Sequence, residues 1–269
     1  SMQFLTEWRI AYTLVKANIA SALQLRLTFA LQVFGMMLND MAFVVLWTFF
    51  FKAFGTINGW SNHEVLAFVG ISAFAFGAAF SGFAGVLTLP ELVNNGSFDN
   101  LLLSPRSVYW RILTSRTRVS AIGDMVFGVL FITIYALTTS LSGLQIAMLV
   151  SLLIPATIIM VNVTLIASLV SFFMPDAGAL AQNLFDAFNS PSLYPSTVFP
   201  SVLKFVFIFV IPSLAMGGVP LETVVHTSGV WYGIIWAIAI VWALIAHKLL
   251  AISLRHYESG NLTGARADQ

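Results

Sequence analysis

Five stretches of this chain, at about 27–51, 65–89, 119–140, 145–172 and 228–251, stay apolar over the length that a membrane helix needs. A hydrocarbon core of about 30 Å is crossed by roughly 20 residues at 1.5 Å each. The chain therefore reads as an all-α polytopic membrane protein forming one domain over residues 1–269. Charged residues are 9% of it, and 12 Lys and Arg offset 11 Asp and Glu to a formal net charge of +1. A soluble domain carries roughly a quarter charged residues, and a nucleic-acid binder shows a basic field. Both classes are excluded, and the expected surroundings are a lipid bilayer and no nucleic acid. Without cysteine, no disulfide framework or Cys-ligated metal centre can form. The four histidines, at 63, 226, 247 and 256, include no i,i+4 pair, so no metal site is expected. Ser1 reads as the remnant of a cleaved tag ahead of Met2, and no secretory signal is expected before the first apolar run.

Residues 4–20 predict an amphipathic helix on the membrane surface. At 100° per residue Phe4, Trp8, Ala11, Tyr12, Val15 and Ile19 share one face, with Arg9, Thr13 and Lys16 opposite. Basic residues set the orientation. Arg9, Lys16 and Arg26 precede the first span, Arg106, Arg111, Arg116 and Arg118 lie between the second and third, and Lys248, Arg255 and Arg266 follow the last. With six crossings, ten of the twelve basic residues fall on one side, which makes that side, and both termini, cytoplasmic. Two segments compete for the fifth crossing. Hydropathy favours 200–217; the rival is 177–195, with 198–222 dipping in from outside and returning.

Polar residues inside such a chain are the candidate functional groups. Asp40, beside Asn39, sits about 20 Å along the first span at 1.5 Å per residue. Over 177–195, Gln182, Asn183, Asp186, Asn189 and Ser190 occupy one arc of a helix, while Leu180, Leu184, Ala187 and Phe188 face away. An interfacial helix usually carries cations on its wet face, and this arc has none, which points to a water-filled path or a protein neighbour. Asp124 reads as locally paired with Arg116 and Arg118. Gly70, Gly77 and Ser81 read as a helix-packing stripe, and Pro155 as a kink in the fourth span. Gly70-Ile71-Ser72-Ala73 bears only a degenerate likeness to an intramembrane protease nucleophile. None of the four lysines follows a glycine, so the chain has no phosphate-cradling nucleotide loop and no catalytic site is expected on it.

Between the second and third spans, Phe98, Leu101 and Leu102 predict an apolar ridge on a short helix after the Asn95-Gly96-Ser97 turn. On the residues alone, such a ridge rimmed by charge is either a partner site or a loop folded back onto the lipid surface. Several segments carry a resemblance: Gly59-Trp60-Ser61 with Glu64; the run from Gly96 through Phe98-Asp99-Asn100-Leu101-Leu102-Leu103-Ser104-Pro105 to Arg106; Gly123-Asp124 with Gly128; and Tyr194-Pro195, Phe199-Pro200 and Pro212. In their order and spacing they resemble the ABC-2-type ABC transporter permeases, in a branch of bacterial exporter subunits. The resemblance implies six transmembrane helices (the fifth at 177–195), an N-terminal interfacial helix, a cytoplasmic coupling region at 90–111 and an extracellular re-entrant hairpin at 198–222. It implies export of a small or amphipathic molecule across the bacterial inner membrane by alternating access. Energy would come from separate ABC ATPase subunits that hold ATP and Mg, with a second permease copy or a sister permease completing the path. Glu91, Phe98, Asp99, Leu101, Leu102 and Arg106 would be the ATPase-coupling residues. Asn39, Asp40, Gln182, Asn183, Asp186 and Asn189 would line the substrate path. The rival class is an ion-coupled secondary transporter or channel, which often shows inverted internal repeats; no convincing repeat is visible.

Overall fold

A serine with a glutamate or glutamine three residues on starts two of the long helices. Ser61 and Glu64 cap one, and Ser142 and Gln145 cap another, each pair answering backbone N–H groups that the first turn leaves free. The computed structural model describes residues 2–56, 60–103 and 107–257, without the side chains of 2–6 and 8. Among them are twelve α-helices and no β-strand. The helices are α1 (Met2–Ala22), α2 (Arg26–Phe54), α3 (Asn62–Phe83), α4 (Gly85–Asn94), α5 (Asp99–Leu102), α6 (Val108–Thr114), α7 (Ala121–Thr138), α8 (Gly143–Ser168), α9 (Gly178–Asn189), α10 (Ser201–Phe205), α11 (Gly218–Val225) and α12 (Gly229–His256). Five helical stretches are long and apolar enough to cross a membrane: α2, α3, α7, α8 with its extension to Phe172, and α12.

These match the five apolar runs, with one correction. The expected span at 65–89 is not a single helix, because α3 stops at Phe83 and α4 starts at Gly85. The break is tertiary in origin: a side chain on Gly85 would overlap the Ile112 carbonyl and the Ser115 hydroxyl, so α4 turns off to cross α6. The helix expected over 4–20 is present as α1. It leans on α6 through buried Ala11, while Asn18 donates to Thr117 at 3.2 Å and Tyr12 points out. Phe4 and Trp8, expected on its apolar face, lie outside the described side chains.

In both segments competing for the fifth crossing the helix is short. The 12 residues of α9 rise about 18 Å before a 3-10 turn at Ser190–Leu193. The stretch from Ser201 runs ten residues, its second half a π-helix, and stops ahead of Pro212. Apart from Ser201, its exposed residues are apolar, among them Val202, Phe205 and Val210. Lys204 ties α10 to α11 through both oxygens of Glu222 at 3.2 Å, and Ser196 donates to the same carboxylate.

The long helices form a row in which α7 touches α2 and α3, α3 touches α8, and α8 touches α12; α9 and α11 fill in against α8. The α3–α7 contact is the most intimate. A Cβ on Gly128 would sit 2.6 Å from the Gly70 carbonyl oxygen and 2.6 Å from the Phe74 nitrogen. With lipid as apolar as leucine, close backbone approach is what holds membrane helices together. The Gly70–Gly77 stripe thus has the packing role read for it, with α7 as its partner. Gly128→Leu should lower the thermal midpoint of the purified protein, since overpacking costs about 1–3 kcal/mol. Gly35→Leu, where nothing lies within 4 Å, should leave the midpoint unchanged.

Candidate functional site

Two features of this row could do work: a cavity among α2, α3, α7 and α9, and a short knuckle at α5.

The cavity has a volume of about 300 Å³. Helix α2 contributes Met36, Asn39, Asp40 and Phe43; α3 contributes Val69, Ser72, Ala73 and Phe76; α9 contributes Gln182, Phe185, Asp186 and Asn189. Asp124 of α7 and Arg118 complete it with Ser192 and Leu193. Five of the six polar residues expected along a path therefore share one space. Asn183 does not: it is exposed on α9 and lines no part of the cavity.

The cavity depends on local geometry. A Cβ on Gly123 would meet the Val33 carbonyl and lie 3.0 Å from Met36 Cβ, so glycine lets α7 settle against α2. Val33, Met36 and Asp40 are spaced to lie on one face of α2, and Asp124 follows Gly123. The same approach brings the two carboxyl groups within hydrogen-bonding reach of each other. Asp40 is 9% exposed and Asp124 3%, and Oδ2 of each has no hydrogen-bond donor among the described residues. Asp186 differs. It is exposed, and Gln182 Nε2 donates to its Oδ1 at 2.9 Å. Ser72 donates to the Ser192 carbonyl at 3.2 Å, fixing the turn after α9 to α3. That bond, and no histidine among the described residues, occupies the hydroxyl.

Sequence reasoning missed Asp124, which was read as an ion pair with Arg116 or Arg118. Among the described residues no direct ion pair forms: Arg118 Nε donates to Ser120 Oγ at 3.2 Å, and Arg118 reaches Asp124 through its charge alone. The available signal was Gly123, the small residue beside it that admits another helix. Phe76 and Phe185, 6.3 Å apart between ring centres, were also missed.

The knuckle is built by turn chemistry. Gly96 takes the left-handed conformation at φ 72°, and Ser97 N–H donates to Asn95 Oδ1 at 2.9 Å. Phe98 was expected on the exposed ridge, and this needs correcting: it is completely buried. Its ring stands edge-to-face with Phe172, 5.1 Å away at the end of α8, and with Tyr257, 5.0 Å away just past α12. Tyr257 OH donates to Asp99 Oδ1 at 2.9 Å. Arg111 closes the far side, donating to the carbonyls of Leu101 and, at 3.0 Å, Asn100. The outward residues are Glu91, Asn100, Leu102 and, at 82% exposure, Leu103, while Leu101 is half-buried. Arg106 lies outside the described residues.

Helix α6 adds a second tie, since Tyr109 OH donates to Asn162 Oδ1 of α8 at 2.9 Å. Burial pushes the Tyr109 phenol up to about 12, against the opposing effect of that bond. The neutral phenol supports the fold fully below about pH 10, its ordinary value, and that support fades as pH climbs toward about 12. Tyr109→Phe should remove this part of the alkaline loss in a pH series of unfolding midpoints. Phe98→Ala should destabilise the protein by about 3–5 kcal/mol. Tyr257→Phe, which keeps the ring and loses only the hydroxyl bond to Asp99, should cost roughly 1 kcal/mol in the same assay.

A family model described as ABC-2 family transporter protein matches residues 36–261, which takes in the cavity, the knuckle, four of the five long apolar helices whole and the greater part of α2. No curated protein and no solved structure matches the chain.

Proposed function

The chain belongs to the ABC-2 family of transporter proteins, and on that premise we propose that it is the transmembrane subunit of an ATP-driven exporter. It carries a small or amphipathic molecule out across the bacterial inner membrane. The observation that carries this reading is the cavity: five polar residues from two helices, α2 and α9, converge on one space of about 300 Å³ bordered by apolar helices long enough to cross a membrane. Polar groups at such depth are costly unless they serve a path or a partner.

In this reading the chain crosses six times with both termini in the cytoplasm, the arrangement that gathers ten of the twelve basic residues on one side. The fifth crossing is α9 with the turn after it, and 198–222 forms an outer hairpin that re-enters the membrane. Short, broken helices are tolerated at membrane depth where protein or a cavity covers them, and α9 has the cavity on one side and α8 behind it. A second copy or a sister permease covers the exposed polar edge at Asn183 and Asp186.

Drive comes from outside the chain. Separate ABC ATPases bind ATP and Mg and grip the knuckle through Glu91, Leu101, Leu102 and the neighbouring Leu103, and Arg106 belongs to the same coupling set. Phe98 and Asp99 face inward and transmit. When the ATPases close, they displace α5; Phe98 passes the displacement to the ends of α8 and α12, and α8 carries α9 with it. ATP can shift the inward–outward equilibrium only through its differential affinity for the two states, so the rigidity of this linkage sets the yield of coupling.

Leu102→Asp with Leu103→Asp tests the reading at two exposed side chains. Co-purification of the ATPase subunits should fall at least tenfold while the unfolding midpoint stays put. Undiminished co-purification, or transport by the chain alone in vesicles without ATP, would contradict it; the latter would point to an ion-coupled carrier.

A further inference from the structure

We propose that Asp40 and Asp124 form the headgroup site for an amphipathic organic cation bearing N–H donors, held with its apolar body against Phe43, Phe76 and Phe185. This rests on the cavity's being the cargo path and names the class of cargo it takes. Both carboxyl groups are more than nine-tenths buried, both line the cavity, and each has an Oδ2 atom without a donor among the described residues. Buried carboxyl oxygens without donors are expensive to maintain. No side-chain cation forms an ion pair with them among the described residues, although the charge of Arg118 acts on Asp124 from the cavity lining. The ion pair found among the described residues joins Lys204 and Glu222 elsewhere, and the exposed Arg118 is engaged with Ser120 at the cavity's edge.

The shape of the cavity separates the candidate cations. No group of three or more His, Cys, Asp or Glu suited to a metal ion occurs among the described residues, and calcium or magnesium requires six or more oxygens. Two converging carboxyl groups instead suit an ammonium or guanidinium head, which can donate to both. The volume of about 300 Å³ falls at the lower end for a drug-sized ligand. Three phenyl rings on the other walls offer faces that attract cations and bury apolar surface. Asp186, already bonded to Gln182 on an exposed edge, is a rim group that steers rather than binds. The headgroup chemistry is common to a free amine and to the ammonium of phosphatidylethanolamine.

The test uses the purified full chain in phosphatidylcholine nanodiscs. Dansylcadaverine, a primary amine on a polarity-sensitive fluorophore, is titrated beside its N-acetyl derivative, which has the same body without the charge. The wild type should bind the amine at least tenfold more tightly than the acetylated probe. Asp40→Asn and Asp124→Asn, singly and together, should erase that preference while leaving the acetylated probe's affinity within threefold. Equal affinity of the two probes for the wild type overturns the proposal without recourse to any variant. A preference that survives in folded double variants also overturns it. Repeating the titration with phosphatidylethanolamine in the nanodisc tells the sources apart: competition assigns the site to the lipid headgroup, and its absence to a free cation. Loss of ATPase co-purification in the wild type would sink the exporter reading separately, and this binding ratio does not depend on it.

Discussion

The approach of α7 to its two neighbours is the constraint on which the rest of the structure depends. In lipid no hydrophobic gain drives helices together, so contact must come from close packing. Gly128 lets α7 lie backbone to backbone against α3, and Gly123 lets it lie against α2. Because Asp124 follows Gly123, the contact that assembles the row also delivers a carboxyl group opposite Asp40. Packing and chemistry are thus set by the same few positions, and a side chain at either glycine would disturb both.

The knuckle works by a comparable economy. A four-residue helix has no stability of its own, and α5 is held by what surrounds it. Phe98 is wedged between Phe172 and Tyr257, Tyr257 reaches Asp99, and Arg111 occupies the carbonyls at its far end. Three mutually edge-to-face rings resist shear because each fills the space the others leave. The element proposed to meet a partner is therefore tied to two membrane-length helices by side chains and not merely by the loop that bears it. In the proposed exporter this gives a short mechanical route from the ATPases to the cavity, through α8 and α9.

The long helices could be read from the chain because length and hydropathy alone decide them. The converging polar residues could be read because Asn39 and Asp40, and the arc of Gln182, Asp186 and Asn189, are each out of place in an apolar setting. Asn183 stood at the edge of the same arc and points elsewhere, since a wheel gives direction only to within a residue's width. What failed to show was tertiary. The break at Ala84 comes from α6 crossing beneath Gly85. Phe98 looked like a surface ridge because its ring partners, Phe172 and Tyr257, lie far along the chain. Asp124 looked locally neutralised because two arginines stood near it in sequence; Arg118 does act on it through its charge, but its hydrogen-bonding neighbour, Asp40, is on another helix. Local patterns fix which elements form; only the glycine contacts reveal which faces meet.

The claim at the centre of this account is that the knuckle faces the cytosol and is covered by a motor protein. The chain has no cysteine, so a single Leu103→Cys substitution gives one reactive thiol at an 82% exposed position. A membrane-impermeant maleimide should label it in inside-out vesicles and not in right-side-out ones, and bound ATPase subunits should block the labelling. Labelling from the outer face, or labelling that the ATPase subunits leave unchanged, would contradict the account.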